Sequence, residues 1–569
     1  MSRRALRAGF SLIDVIVGIA LMLVLFLALF GILRASLALS ALTKAQAAAI
    51  ELANTQIEYM RGLSYDALGT VGGIPAGTVP QTTITTIDSM PYTLRTYVTY
   101  FDDPVDGTGQ ADTNHITTDY KIGKVTVSYA IYGLTKVITL ISNFVPHSVE
   151  AATNGGTLGL HIVDASGADL SDASVQITNT ATAPTIDFIT FSDVHGMVSV
   201  DGAATSTQYQ IHVSRPGYSS AQTYERTAQN MNPTPGYLTV VKDQTTSATF
   251  AIDKLAELTL ASFSPAETTA FSDSFTNTAN LADHAGAQIS DSALTLTSEG
   301  LSGSARSILI SPSNLTGWGI LSAHVATPSG TSAVIRISDA TGVPLPDSVL
   351  LGNSVGFSSF PVDLTTIATS SYPSLSIEAE LTSDATTTTP SILDWSLSHT
   401  SGPVLAPNIA FTLTGAKTIG TDGSGNPLMK TTVTGTTGPD ATVTESLEWD
   451  AYTLSLSSAH LIESCIPSPY ILAPAEATST ALLVGTPSTN TLSIQILNNL
   501  GDILPNAKVI LSSSDYAATI PTSACGLAYF NELAAGQYRA TVSAPGHAAK
   551  TFTNIPVAGH SVIVPLTLP

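Results

Sequence analysis

The sequence predicts a mainly β protein with one long N-terminal helix, in which an α+β head is followed by a string of antiparallel β-sandwich domains. Three observations predict this. An apolar N-terminal stretch continues into a helical period, short runs alternating apolar and polar residues fill the rest, and one block of strands occurs twice. At 569 residues the chain is too long for one core, and about three to five domains are expected. Hydrophobic residues make up 44%, enough to build cores, while 42 Gly, 31 Pro and abundant Thr and Ser mark a turn-rich surface. The formal net charge is −22, and the 21 Lys and Arg are scattered. Phosphate binding needs clustered cations, so no nucleic-acid partner is expected.

The first nine residues, MSRRALRAG, form a basic leader (1–9) with Arg3, Arg4 and Arg7 and no acid. From Phe10 to Leu33 the only clearly polar side chains are Ser11 and Asp14. A helix of that length measures roughly 36 Å, against a bilayer core of about 30 Å. The arginines place the N-terminus in the cytoplasm and the C-terminus of a single-pass chain outside the cytoplasmic membrane. The alternative is an ordinary signal peptide cut near Ala45-Gln46-Ala47, against which the length of the apolar stretch counts. Leu39, Leu42, Ala49, Ile50, Ala53, Ile57 and Met60 then recur mostly at steps of three and four. One helix, 10–60, therefore runs from the membrane into a soluble head.

The string GFSLIDVIVGIALM from Gly9 to Met22 resembles the type IV prepilin signature, in which a basic leader ends in Gly, Phe follows, and an acid stands at the fifth mature position, here Asp14. The resemblance implies cleavage between Gly9 and Phe10 by a prepilin peptidase, methylation of the new amino group, and partners among other pilins or pseudopilins. An unpaired carboxylate in hydrocarbon is costly and persists only with a partner or a function. In that family the partner is the N-terminal amine of a neighbouring subunit. Aspartate stands where glutamate is usual, one methylene shorter, which favours a minor over a major repeating subunit.

After a glycine-rich connection, RGLSYDALGTVGGIPAGT, the runs YTLRTYVTY, KVTVSYAIY and Val137 to Ile141 read as strands of a half-buried antiparallel sheet, giving a β head over 61–148. A helix packed on such a sheet is similar to the pilin architecture, and RGLSYDALG and FDDPVDG resemble heads of minor prepilins of the pilus-modification class. Asp102, Asp103, Asp106 and Asp112, with Asp119 behind, surround a tight turn. Two readings stay open: clustered carboxylates that bind calcium, or a solvated acidic turn capped by Asx hydrogen bonds. No other cofactor is expected.

Residues from Thr157 (TLGLHIVDASGADLSDASVQIT) align with those from Thr491 (TLSIQILNNLGDILPNAKVILS), and YQIHVSRPGY aligns with YRATVSAPGH. Two copies of one small β-sandwich are expected, at 149–255 and 489–569, and they resemble carboxypeptidase regulatory-like and collagen-adhesin B-type modules. Some such modules carry a Lys–Asn isopeptide bond, but both copies lack the first-strand Lys, so none is expected there. A divergent sandwich is expected at 401–488, where Lys417 is the only lysine placed to suggest a cross-link but reads rather as a solvated strand-end lysine. Between them, 256–400 looks like a jelly-roll or lectin-like sandwich. Its Trp318 and Trp395 either stack on glycans or fill the core. Residues 402–407 and 474–490 read as linkers.

No HExxH, GxSxG, Walker or GxGxxG motif is present, and the histidines lack ligand spacing, so the chain is not expected to be an enzyme. Cys465 and Cys525 either pair in an oxidising compartment or stay as isolated thiols. The expected function is a minor type IV pilin-like surface protein that displays β modules toward a glycan or protein ligand, on a pilus or the cell surface. Two alternatives stand beside it: a pseudopilin of a type II secretion or DNA-uptake system, and a signal-anchored carbohydrate-binding surface protein unrelated to pili.

Overall fold

The computed structural model describes residues 12–569 apart from 106, 108–117, 147–153, 458–459, 466–467, 487 and 560–562. The chain forms two compact units, one of 1–255 with 418–428 and the other of 256–417 with 429–569. It is mainly β, with a single helix among the described residues.

In the first unit the helix Leu12–Arg61 carries Ala45, Ala49, Ala53, Ile57 and Met60 onto the inner face of a four-stranded antiparallel meander. The strands are Thr82–Ile87, Met90–Phe101, Tyr120–Ile131 and Leu134–Phe144, in that order. Small residues at three- and four-residue steps let the helix lie close to Val98, Val125 and Val127. At Gly123 an added Cβ would sit 2.8 Å from the Phe144 ring and 3.1 Å from Met60, so the strand is smooth where the helix ends. The sequence signalled three of these strands; Thr82–Ile87, rich in Thr and pairing at the sheet edge, was not among them.

The sandwich behind the head pairs Gly155–Val163 with Thr245–Ala251 and Met197–Ala204 in one sheet, facing a second built on Ser174–Asn179, Ile186–Phe191 and Ser206–Ser214. Its core holds Leu158, Leu160, Ile162, Ala173, Val175 and Ile177. The C-terminal sandwich repeats this strand order. Leu492–Leu497 lies between Leu527–Phe530 and Ile563–Thr567, and Lys508–Ser512 lies between Ala517–Pro521 and Gly536–Ser543.

The duplication reaches single hydrogen bonds. Gly196 and Gly526 both take a φ of +69°, which only glycine adopts freely, and each carbonyl accepts from the first strand, from Ile162 N–H at 2.7 Å and Ile496 N–H at 2.8 Å. Tyr209 Oη donates to Ala204 O at 2.8 Å, as Tyr538 Oη donates to Ala534 O at 3.0 Å.

The second unit departs from the expected boundaries. Ala256–Ser264 pairs with Thr442–Leu447 and Ala477–Gly485, and its Ala256, Leu258 and Leu260 pack with Leu413, Leu447, Tyr452 and Leu482. It is therefore the first strand of the sandwich expected at 401–488. The sandwich that follows, from Glu267–Asp273 to Ser391–Ser401, is inserted into that host, and its two ends are paired at Glu267↔Ser401. Both expected linkers contain strand: Val404–Leu405 closes on Phe263 and Ser264, and Ala477–Gly485 buries Leu482 and Val484 in the host core.

Candidate functional site

The helix has two halves with different surroundings. Residues from Leu12 to Leu39 leave large apolar side chains in the open, among them Ile19, Phe26, Phe30 and Leu37, each about 60% exposed. The first buried helical residue is Ala45. Ala41 and Leu42 already pack against the head's core, so some 29 residues, 12–40, project free of the sheet, about 44 Å at the helical rise. Apolar surface of this extent is stable only in lipid or against other apolar helices. Asp14 lies in the first turn of this free half, while Gly9 and Phe10 lie outside the described residues.

The head is fastened from both sides. On its inner face, Lys121 is 2% exposed, and Nζ donates to Tyr65 O at 2.6 Å and Leu68 O at 2.8 Å, beneath the Tyr65 and Tyr100 rings. Burial pushes its pKa down to about 8, with Asp66 opposing. On the outer face, Gly72 O accepts from Asp187 N–H at 2.8 Å, Gln81 Nε2 donates to Asp187 O at 2.6 Å, and Tyr97 stacks on Phe188 at 6.0 Å. Ile74 of the glycine-rich connection enters the neighbouring sandwich's core. Close to this joint, Asp201 is 8% exposed and accepts from Thr157 Oγ1 at 2.8 Å. Burial raises its pKa to about 6; the Thr157 bond opposes this, the Asp102 charge adds to it, and Ser199 opposes it.

The acidic turn is partly described. Asp103 N–H donates to Asp119 Oδ2 at 2.5 Å, and Val105 N–H donates to Asp103 Oδ1 at 3.2 Å, which is Asx capping. Asp102 follows the strand end, while Asp106 and Asp112 lie outside the described residues. Among the described residues no group of three or more His, Cys, Asp or Glu is placed to hold a metal.

Trp318 and Trp395 are both 0% exposed, inside the core of the inserted sandwich, so neither face is open to a sugar. Each sits on the inward phase of its strand. Trp318 Nε1 donates to Tyr372 O at 2.9 Å, and Trp395 meets Phe275 edge-on at 5.0 Å.

Lys417 is not a solvated strand-end residue. Its Nζ lies 3.1 Å from the centre of the Trp449 ring, donates to Trp449 O, and is 3.3 Å from Glu448 Oε2. Glu448 also accepts from Lys430 at 2.7 Å and Thr431 Oγ1 at 2.6 Å. Burial alone would raise the Glu448 pKa, but the bonds from Lys430 and Thr431 and the two lysine charges outweigh it and leave it lowered.

Cys465 and Cys525 are bonded, with Cα atoms 5.0 Å apart. Cys465 follows the host strand His460–Ser464, and Cys525 precedes the strand Leu527–Phe530 of the C-terminal sandwich, so the bridge joins two domains of one unit.

No protein-family model matches the chain, and no curated protein matches it. Among solved structures, the chain is similar to the Bacillus anthracis TIE protein at 10% identity, with 86% of this chain and 73% of that one covered and a TM-score of 0.16. It is also similar to BcpA, the major pilin subunit of Bacillus cereus, at 8% identity, covering 73% and 99%, with a TM-score of 0.13. GBS52, the minor pilin of Streptococcus agalactiae, shows 13% identity, coverage of 29% and 83%, and a TM-score of 0.11. At these scores the likeness carries no argument about function, which rests on the chain's own residues.

Proposed function

We propose that this chain is a minor type IV pilin-like surface protein. Prepilin peptidase cuts between Gly9 and Phe10, the free half of the helix holds the product in the cytoplasmic membrane, and the same half packs among other pilin helices when a filament is built. The β domains then face outward, toward a surface partner. The observation that carries this reading is the division of one helix into a free apolar half and a half seated on a four-stranded antiparallel sheet. A plain anchor needs only the first. The basic leader, the Gly-Phe junction and the acid at Asp14 support processing and assembly, and the Cys465–Cys525 bridge supports an oxidising, extracytoplasmic location for the domains. Four domains behind the head are too bulky to repeat along a tightly packed filament, which favours a tip or sparse placement.

The test is expression in a host that makes type IV pili. A variant blocked at Gly9 is expected to keep its leader and stay out of sheared filaments, and Asp14→Asn is expected to mature yet enter filaments poorly. If both reach the filament fraction as the parent does, the reading is wrong.

A further inference from the structure

Three sandwiches follow one another along the chain, and in each the first and last strands are neighbours that run parallel. Gly155–Val163 pairs with Thr245–Ala251 from Thr157↔Thr245 to Val163↔Ala251 without a register shift. Backbone bonds from Thr157 N–H to Gln244 O and from Ile252 N–H to Val163 O, each 3.0 Å, extend that ladder at both ends. Ala256–Ser264 pairs with Ala477–Gly485 from Glu257↔Ala477 to Phe263↔Leu483. Leu492–Leu497 pairs with Ile563–Thr567 from Ser493↔Ile563 to Leu497↔Thr567.

Tension along a chain enters a domain at the start of its first strand and leaves at the end of its last. For parallel neighbours these points lie at opposite ends of the shared ladder, so the strands are drawn past each other and all their hydrogen bonds are stretched together. In an antiparallel pair both points lie at one end, and the bonds open one after another. The Cys465–Cys525 bond lets a pull along the chain bypass the segment between them, so Ala477–Gly485 and Leu492–Leu497 are not loaded at their ends while it is intact. We propose that the ladder of the first sandwich is a tension clamp, and that this chain is a load-bearing tether.

The inserted sandwich has the opposite arrangement. Its first and last strands are antiparallel, and both its ends leave the host beside Phe263↔Leu405 and Ser264↔Val404. The use of such a tether on a filament rests on the surface reading above; the clamp itself does not.

Optical-trap unfolding of the full chain in detergent tests it through exposed handle positions on the first sandwich. One protein carries Asn154→Cys with Lys254→Cys, which loads the ladder in shear. The other carries Asn154→Cys with Lys242→Cys, which peels the same ladder from one end. Extension of roughly 3.3–3.6 Å per released residue identifies the event in both. The shear pair is expected to rupture at a force at least twofold higher. Equal forces, or a higher force in the peeling pair, overturn the clamp and leave the processing of the N-terminus, which is read separately, unaffected. Melting profiles matching the parent's show that both handle pairs leave the sandwich folded.

Discussion

Lys121 Nζ donates to the Leu68 carbonyl at 2.8 Å, and with its bond to Tyr65 O it ties the glycine-rich connection to the inner face of the head sheet. Replacing it by Met removes the donor from both carbonyls, at a cost of about 1–3 kcal/mol. Hydrogen exchange should quicken first in 61–78. The sign of the pH effect follows from the lowered pKa. Between about 8 and the ordinary value of 10.5 the unfolded chain holds a proton that the folded one has lost, so stability rises with pH across that window. Lys121→Met should remove the rise, as read by melting temperature against pH.

Asp201 works in the other direction and a different window. Its folded pKa is raised to about 6, so its contribution is fully present below the ordinary carboxylate value of 3.8 and is lost as pH climbs through 6. The loss amounts to at most about 3 kcal/mol. Asp201→Asn keeps an acceptor for Thr157 Oγ1 and carries no charge, so melting of the first unit should rise at pH 7.5 and become flat between pH 4.5 and 7.5.

Glu448 is almost enclosed and satisfies two lysines and Thr431. Glu448→Gln removes the carboxylate that the two half-buried ammonium groups share, and a loss of about 3 kcal/mol is expected for the host sandwich. Calorimetry of the second unit's transition reads it.

The Cys465–Cys525 bridge closes a loop of 60 residues across two domains. On the chain-entropy estimate such a loop contributes up to about 4 kcal/mol. Replacing both cysteines by Ser should lower the melting of the C-terminal sandwich and free it from its host under limited proteolysis, without touching the head.

What the sequence revealed and what it hid have physical reasons. The helix was legible because a nearly unbroken apolar run from Phe10 to Leu33 continues into apolar residues mostly at steps of three and four up to Met60, and the duplicated sandwich because paired positions such as Leu160 and Ile494 are buried in both copies. The insertion was hidden. Ala256–Ser264 finds its partner Ala477–Gly485 more than two hundred residues away, and local alternation does not say which strand pairs with which. The 474–490 stretch read as a linker because its Pro and Thr mask the alternation that buries Leu482 and Val484. Lys121 was missed although a signal existed: it shares the inward phase of Gly123, Val125 and Val127. A cation in phase with a buried stripe marks a fastened one. Asp201 gave no such signal: it is out of phase with Val198 and Val200, and an extra residue in its own strand, where Val200 to Ala203 lies opposite Leu158 to Gly156, turns it inward with Ala203. The two tryptophans were ambiguous because aromatic size favours core and sugar stacking alike.

The most direct measurement is mass spectrometry of the mature N-terminus from cells that carry a prepilin peptidase. A chain beginning at an N-methylated Phe10 is the predicted result. An intact Met1, or a start near Ala48, would contradict the account at its centre.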